Sequence, residues 1–477
     1  MATTHTLPVR SIAASFFATR FARVLSLLWF VGGIPVLTFA SQAAQPNIVF
    51  ILSDDMGYGD LSCYGRKDLN TPHLDQLARE GVRFTQFYAN GPECTPTRAA
   101  FLTGRYQQRL GGLECAIGTG NVGRYDDAIR LRETNELGLP SSATTIGKLL
   151  QNQGYTTILS GKWHLGYEPQ FAPHHHGFDH TFYCIGGGMD YFHYLDTVAG
   201  YNLFQDGNPI RGDGYFTDLM TDNAIRFIKS QSDKKPFFLY LPYTCPHAPF
   251  QGPEEEFPQP IPLNSPRWKQ GAAPPDVYID MIEHMDKRIG DLLKTLDQQR
   301  LRENTVVIFN NDNGGTASAR NEPLSGYKGG TYEGGIRVPT IIRWPGMIRP
   351  GTTSDQVAIT FDLSRSIARI AGVPTESITD FEGMDIIDHI VENRPNQKRT
   401  LFWRKPRGQT TWHAVRDGNL KYVAKQSGLE LEEHLYDIAN DIGEKQDLKT
   451  AQAQEFKRLQ TLYRKWEIEV RKNRRGQ

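Results

Sequence analysis

The sequence predicts an α/β fold: a mostly parallel sheet flanked by helices, then a smaller C-terminal antiparallel sheet plus a helix. Three observations carry this. Short runs rich in Val, Ile, Phe and Tyr recur through residues 45–375 and read as buried strands. Helical apolar stripes alternate with them, as a parallel sheet requires, because each crossover needs a long connection and both faces need cover. After Gly372 the rhythm changes to short strands around tight turns.

Residues 1–44 read as an export signal. Arg10, Arg20 and Arg23 precede the apolar run Val24 to Ala40, no acidic residue occurs before Asp54, and small residues lead to Ala44. The run is short for a span and is interrupted by Gly32, Gly33 and Pro35, which predicts a cleaved peptide and no stable membrane span. The protein is therefore expected to be periplasmic or secreted. Strands are predicted at Asn47 to Leu52, Val82 to Tyr88, Thr156 to Leu159, Phe237 to Tyr243, Thr305 to Phe309 and Val338 to Ile342. Between them, Thr71 caps a helix that opens on Pro72, carries Leu74, Leu77 and Ala78 on one face and ends at Gly81. Further helices are expected at Ala143 to Gln153, Thr217 to Ser230 and Val277 to Gln299. Residues 45–375 are thus expected to form one large domain carrying most of the chemistry, and residues 376–477 an α+β subdomain. Its strands are Thr400 to Arg404, Trp412 to Arg416 and Lys421 to Ala424, with turns such as Asp417-Gly418. Its helix, Ala451 to Arg471, stripes Phe456, Leu459, Tyr463, Trp466 and Val470.

Lys plus Arg and Asp plus Glu both number 53, so no global field attracts nucleic acid or a membrane, and an anion site must be local. The five cysteines are Cys63, Cys94, Cys115, Cys184 and Cys245. Setting Cys94 aside leaves four, which permits disulfides and equally permits four buried thiols.

Chemistry concentrates at strand ends. Ligands of an open parallel sheet bind beyond the carboxyl ends of its strands. Four predicted strands run into Asp54 and Asp55, Lys162 and His164, His247, and Asp312 and Asn313. Singly these read as solvated turns, caps, surface cations or a structural histidine. Jointly, two acidic strand ends offer oxygen ligands only, which suits a hard cation rather than zinc. The remaining signal is Cys94-Thr-Pro-Thr-Arg98 with Leu-Thr-Gly-Arg105 behind it. Pro173-His174-His175-His176 invites a zinc reading, but adjacent histidines do not converge easily on one metal, and a loop near the pocket is expected.

The Cys94 motif resembles the modification signal of the formylglycine-dependent (type I) sulfatases. So do Pro46 to Asp60, Gly161 to Gly166, the stretch around His247, Asp312-Asn313-Gly-Gly and the stretch around Lys328, all in the family's order. The resemblance covers nearly the whole mature chain, and arylsulfatases and N-acetylgalactosamine sulfatases are the kinds of member it suggests. It implies the alkaline-phosphatase-like core. It also implies oxidation of Cys94 to formylglycine by a formylglycine-generating or sulfatase-maturating enzyme, with Ca²⁺ preferred to Mg²⁺. The metal would be held by Asp54, Asp55, residue 94, Asp312 and Asn313. The hydrated aldehyde at 94 would attack sulfur, and Lys328 would hold the sulfate. His247 would protonate the leaving alcohol, Arg98, Lys162 and His164 would orient the diol, and His164 would take its second proton.

Substrate choice is less legible. The loop Gly186 to Tyr194 and Trp412-His413 are aromatic and polar, as sugar-binding rims are, or they pack the domain interface. Together with export, the rim reading points to a sulfated carbohydrate, of galactosamine type or algal, beside simple aryl sulfates. The rivals are a phosphonate or phosphate ester hydrolase of the same superfamily and a catalytically inactive sulfated-glycan binding protein.

Overall fold

Asn47–Ser53 is buried along all seven residues, and this continuous apolar strand is the centre around which the sheet is built. The computed structural model describes residues 45–118, 125–196, 200–231 and 235–472. The export segment, including Val24 to Ala40, lies outside the described residues. Ten strands form the main sheet in the order Thr352–Ser354, Val82–Phe84, Thr340–Arg343, Thr305–Asn311, Asn47–Ser53, Phe237–Pro242, Thr156–Lys162, His180–Cys184, Phe204–Gln205 and Asn208–Pro209. The middle five, Thr305–Asn311 through His180–Cys184, are mutually parallel. Antiparallel pairings flank them on both sides. The four strands singled out for their reactive ends are therefore immediate neighbours, pointing the same way.

Side-chain alternation divides the core between the two faces. Ile48, Phe50 and Leu52 pack with Phe101, Leu363 and Ile367 on one side. Val49 and Ile51 pack on the other with Met220, Ile228, Met281 and Ile289, from the helices Phe216–Ser230 and Pro275–Gln298. Among the described residues, no helix is long and apolar enough to cross a membrane.

Several boundaries differ from expectation. Val82 to Tyr88 is not one strand. Val82–Phe84 stays in the main sheet, whereas Phe87–Tyr88 pairs with Ala358–Ile359 in a separate ribbon. The helix expected from Ala143 begins at Ile146, where the Thr145 hydroxyl accepts from the Lys148 amide. Cys94–Thr103 is a helix with no counterpart in the periodicity analysis: all ten residues are buried, so it shows no amphipathic stripe. All five cysteines are free.

Thr400–Arg407, Thr410–Asp417, Leu420–Ser427 and Glu430–Asp437 form an antiparallel meander. The fourth strand has no counterpart among the expected ones: Glu430 to Glu432 are exposed on it, and pairing with Leu420–Ser427 is what makes it a strand. Helix Ala453–Val470 buries Leu459, Tyr463, Trp466 and Val470. These residues share a core with Tyr88, Ala100, Tyr106 and Phe361, so the meander is packed onto the main body by apolar contact.

A buried ionic network crosses the same junction. Lys421 Nζ lies 2.8 Å from Glu333 Oε1 and 2.9 Å from Glu444 Oε1. Burial, together with the Glu333 carboxylate, pushes the Glu444 carboxyl up to about 7 against the pull of Lys421. Glu333 is held low, at about 2: burial would raise it, but Lys421, Arg337 and Arg416 outweigh that. The native state thus retains the Glu444 proton above that group's ordinary value of 4.5, and folding stability falls as pH rises from there through about 7. Glu444→Gln is expected to remove a loss on the order of 2 kcal/mol between about pH 5 and about pH 8, measured by urea unfolding. An unchanged pH slope would contradict this assignment.

Candidate active site

Asp54 and Asp55 follow directly on the central strand, and Asp312 follows its neighbour. The Asp54 amide donates to Cys245 O at 3.0 Å and the Asp312 amide to Ser53 O at 3.1 Å, so sheet pairing continues into the site. The geometry gathers Asp54, Asp55, Cys94 and His247, whose ligand atoms all lie within 4.8 Å of one another. Cys94 opens its buried helix, with Sγ 3.1 Å from Asp54 Oδ1 and 3.5 Å from Lys328 Nζ.

Each carboxylate has a cation. Lys162 Nζ donates to Asp54 Oδ2 at 2.5 Å, and Lys328 Nζ lies 2.6 Å from Asp55 Oδ1. Arg98 donates to Asp312 Oδ2 from Nε at 3.1 Å and from Nη2 at 2.8 Å, and Nη2 lies 3.7 Å from Asp54 Oδ2. Asn313 Nδ2 donates to Asp55 Oδ1 at 2.8 Å, while its Oδ1 is buried without a hydrogen-bond partner. Oxygen donors from two adjoining strand ends, one of them an orphaned amide oxygen, fit a divalent hard cation.

Electrostatics separates the carboxylates. Burial would raise Asp55, but Lys328, His247 and Asn313 hold it at about 2. Burial and the Asp54 charge lift Asp312 to about 6 despite Arg98 and Lys162. Burial, Asp312 and Asp54 push the Cys94 thiol well above its ordinary range. A cysteine held in this site is thus a neutral thiol and a poor nucleophile.

Two histidines face the same cavity. His164 Nε2 donates to Ile117 O at 2.6 Å, which leaves its buried Nδ1 as the free lone pair. His247 Nδ1 donates to Ala248 O at 2.5 Å; its Nε2 lies 3.6 Å from Asp55 Oδ2 and accepts from Gln270 Nε2 at 3.1 Å. Burial holds both rings neutral, with His247 down at about 3. Asp55 and His164 adopt left-handed backbone, φ 71° and 58°, a conformation non-glycine residues keep mainly where surrounding structure enforces it. Gly187 and Gly188 close the cavity against these rings. A Cβ at Gly187 would come within 2.9 Å of the His164 ring, and one at Gly188 within 2.9 Å of the His247 ring.

The cavity holds about 410 Å³, within the usual range for a small-molecule site. Its wall includes Glu93, Tyr167, Asp196, Trp268, Gln270 and Arg407, none of which spacing singled out. Trp268 ends a three-residue 3-10 helix, Pro266–Trp268, and Gln270 follows it, an element too short to show a periodicity. Gln270→Ala removes the hydrogen bond to His247 and is expected to lower kcat/KM for a sulfate ester about threefold to tenfold, measured by steady-state kinetics.

Other expected contributors fall elsewhere. The His174 to His176 run does not line the cavity, correcting the expectation of a loop beside it. His176 is buried against Trp163, ring centroids 5.3 Å apart, which is ordinary core packing. Tyr191 and Tyr194 belong to the core, and His413 stacks on Tyr463 at 4.8 Å.

A sulfatase family model matches residues 46–373. Human N-acetylgalactosamine-6-sulfatase is 32% identical over 386 residues, covering 76% of this chain and 70% of the relative. Human arylsulfatase A is 33% identical over 400 residues, covering 76% and 71%. The crystal structure of Ps i-CgsB in complex with k-i-k-neocarrahexaose superimposes with a TM-score of 0.76 at 30% identity, over 90% of this chain and 94% of that one. The chain therefore belongs to the sulfatase family and is a sulfuric ester hydrolase.

Proposed function

We propose that the protein removes sulfate from a galactose- or galactosamine-type unit of a sulfated glycan, with Cys94 oxidised to formylglycine and calcium at the acidic strand ends. The observation that carries this is Cys94 itself: a thiol kept protonated, 3.1 Å from one metal-type carboxylate and 3.5 Å from an ammonium. The sugar class is supported by relatives named N-acetylgalactosamine-6-sulfatase and by a structural neighbour in complex with k-i-k-neocarrahexaose.

Asp54, Asp55, Asp312 and Asn313, with residue 94, would hold the cation; it supplies positive charge for the sulfate oxygens, and the hydrated aldehyde supplies an oxygen nucleophile. Lys328, beside residue 94, is placed to bind a sulfate oxygen in the ground state and in the transition state. Lys162 and Arg98 neutralise Asp54 and Asp312, so that an anion can enter a site floored with carboxylates. His164 Nδ1 accepts the proton released from residue 94. His247, its Nδ1 pinned by Ala248, presents Nε2 toward the leaving alcohol; the negative charge of a bound sulfate ester favours its protonated form, whose Nε2–H replaces the hydrogen bond that Nε2 accepts from Gln270.

The same reading includes export directed by residues 1–44, maturation by a formylglycine-generating enzyme, and a division of labour between residues 45–375 and 376–477. It is tested by comparing turnover of an aryl sulfate and an aryl phosphodiester by the matured protein, then of sulfated galactosamine and galactan sugars. Sulfate ester preference is expected. Phosphodiester preference, or glycan binding without turnover, would overturn it.

A further inference from the structure

A second cavity, of about 570 Å³, adjoins the first, and Lys328 lines both. Its walls are aromatic: Tyr327, Tyr332, Trp412 and Tyr436. Tyr332 meets Trp412 edge-on at 5.6 Å and Tyr436 at 6.2 Å, and Lys425 sits 5.7 Å from the Trp412 ring, so the wall is held by its own packing. Gly329 and Gly330 border it without side chains; a Cβ at Gly330 would come within 3.6 Å of the Trp412 ring. Tyr327 is 59% exposed and is the single aromatic among the large hydrophobic side chains exposed in the described residues. With Tyr332, Trp412 and Tyr436 it forms a contiguous aromatic wall on a cavity that shares Lys328 with the first, the kind of surface that marks a ligand groove.

From this we infer a subsite for the neutral sugar that adjoins the sulfated one, so that the enzyme acts on a chain rather than on a free monosaccharide. The inference rests on the sulfated-glycan reading and adds where the next unit lies. Charge selects a neutral occupant. Lys328 is the one cation lining this cavity among the described residues, and it is committed to Asp55 and the neighbouring site. The Glu444 carboxylate on the same wall is taken up by Lys421 and the Glu333 amide. The lining offers a second sulfate no free positive charge: Lys425 and Lys405 meet its walls from outside, at the Trp412 ring and at Gly329 O, without lining the cavity. A pyranose presents a C–H face that an aromatic ring covers well, and rim hydroxyls that tyrosine hydroxyls and glycine backbone can meet. A purely apolar alcohol would use the rings and leave those polar groups unmatched.

The test uses the matured full-length protein with 4-nitrophenyl sulfate and with sulfated galactan and galactosaminoglycan fragments of one to six sugars. The kcat/KM is expected to rise about tenfold or more from one sugar to three, mainly through KM. Trp412→Ala and Tyr327→Ala are expected to erase that rise while 4-nitrophenyl sulfate turnover stays within about twofold, and Trp412→Phe to restore most of it. Length dependence that is absent, or that survives both alanine variants, overturns the subsite, as does glycan turnover lost in step with aryl sulfate turnover. Aryl sulfate turnover with no glycan in the set accepted also overturns it. Failure of the wild-type protein on every sulfate ester would instead overturn the hydrolase reading beneath it.

Discussion

Replacement of Cys94 by alanine is expected to lower turnover of an aryl sulfate by at least about 10⁴-fold with little change in stability. The side chain is small and 1% exposed, and its polar contacts are those with Asp54 and Lys328. Truncation therefore leaves the carboxylates paired with Lys162, Arg98 and Lys328 and should shift unfolding by no more than about 1 kcal/mol. Kinetics and a urea titration on one preparation check both halves. A variant retaining more than a few per cent of activity would exclude residue 94 as nucleophile. Mass analysis of the peptide ending at Arg98 gives an independent reading: an intact thiol in fully active protein would exclude the aldehyde.

Arg98→Met is expected to destabilise the protein by about 3–5 kcal/mol and to abolish activity. Arg98 is wholly buried and gives two hydrogen bonds to Asp312 Oδ2 and a third, from Nη1, to Lys162 O at 3.0 Å. Its removal strands a carboxylate already lifted to about 6 by burial and by Asp54. Arg98→Lys should rescue little, since an ammonium cannot reproduce the fork. Adding Asp312→Asn to Arg98→Met should recover part of the lost stability, because the stranded charge is removed with its partner. Urea unfolding of the wild type, Arg98→Met, Asp312→Asn and the double variant measures the coupling, and a loss below about 1 kcal/mol in Arg98→Met would show that the pair contributes nothing net.

Strand-end chemistry was legible because it is local. Asp54 and Asp55 end an apolar run, His247 and Asp312 end two others, and a parallel sheet brings such ends together whatever its detailed order. The helix Cys94–Thr103 escaped notice for the opposite reason: burial on every side leaves no stripe. The polar strand Glu430–Asp437 escaped because its pairing, not its composition, makes it a strand. Trp268 and Gln270 reach the cavity from the end of a single 3-10 turn, too short for a period to be read.

The sequence by itself determined the alternation of strands and helices, the family motif at Cys94, and the residue types at four strand ends, since propensity, periodicity and motif spacing act between near neighbours in the chain. Only the tertiary structure decided which cation meets which carboxylate, that His164 and His247 give different nitrogens to backbone carbonyls, that His176 packs in the core while His174 and His175 are exposed, and that Lys328 borders two cavities. Those outcomes depend on distances between residues tens to hundreds of positions apart, and such distances are set by sheet order and side-chain packing rather than by local preference.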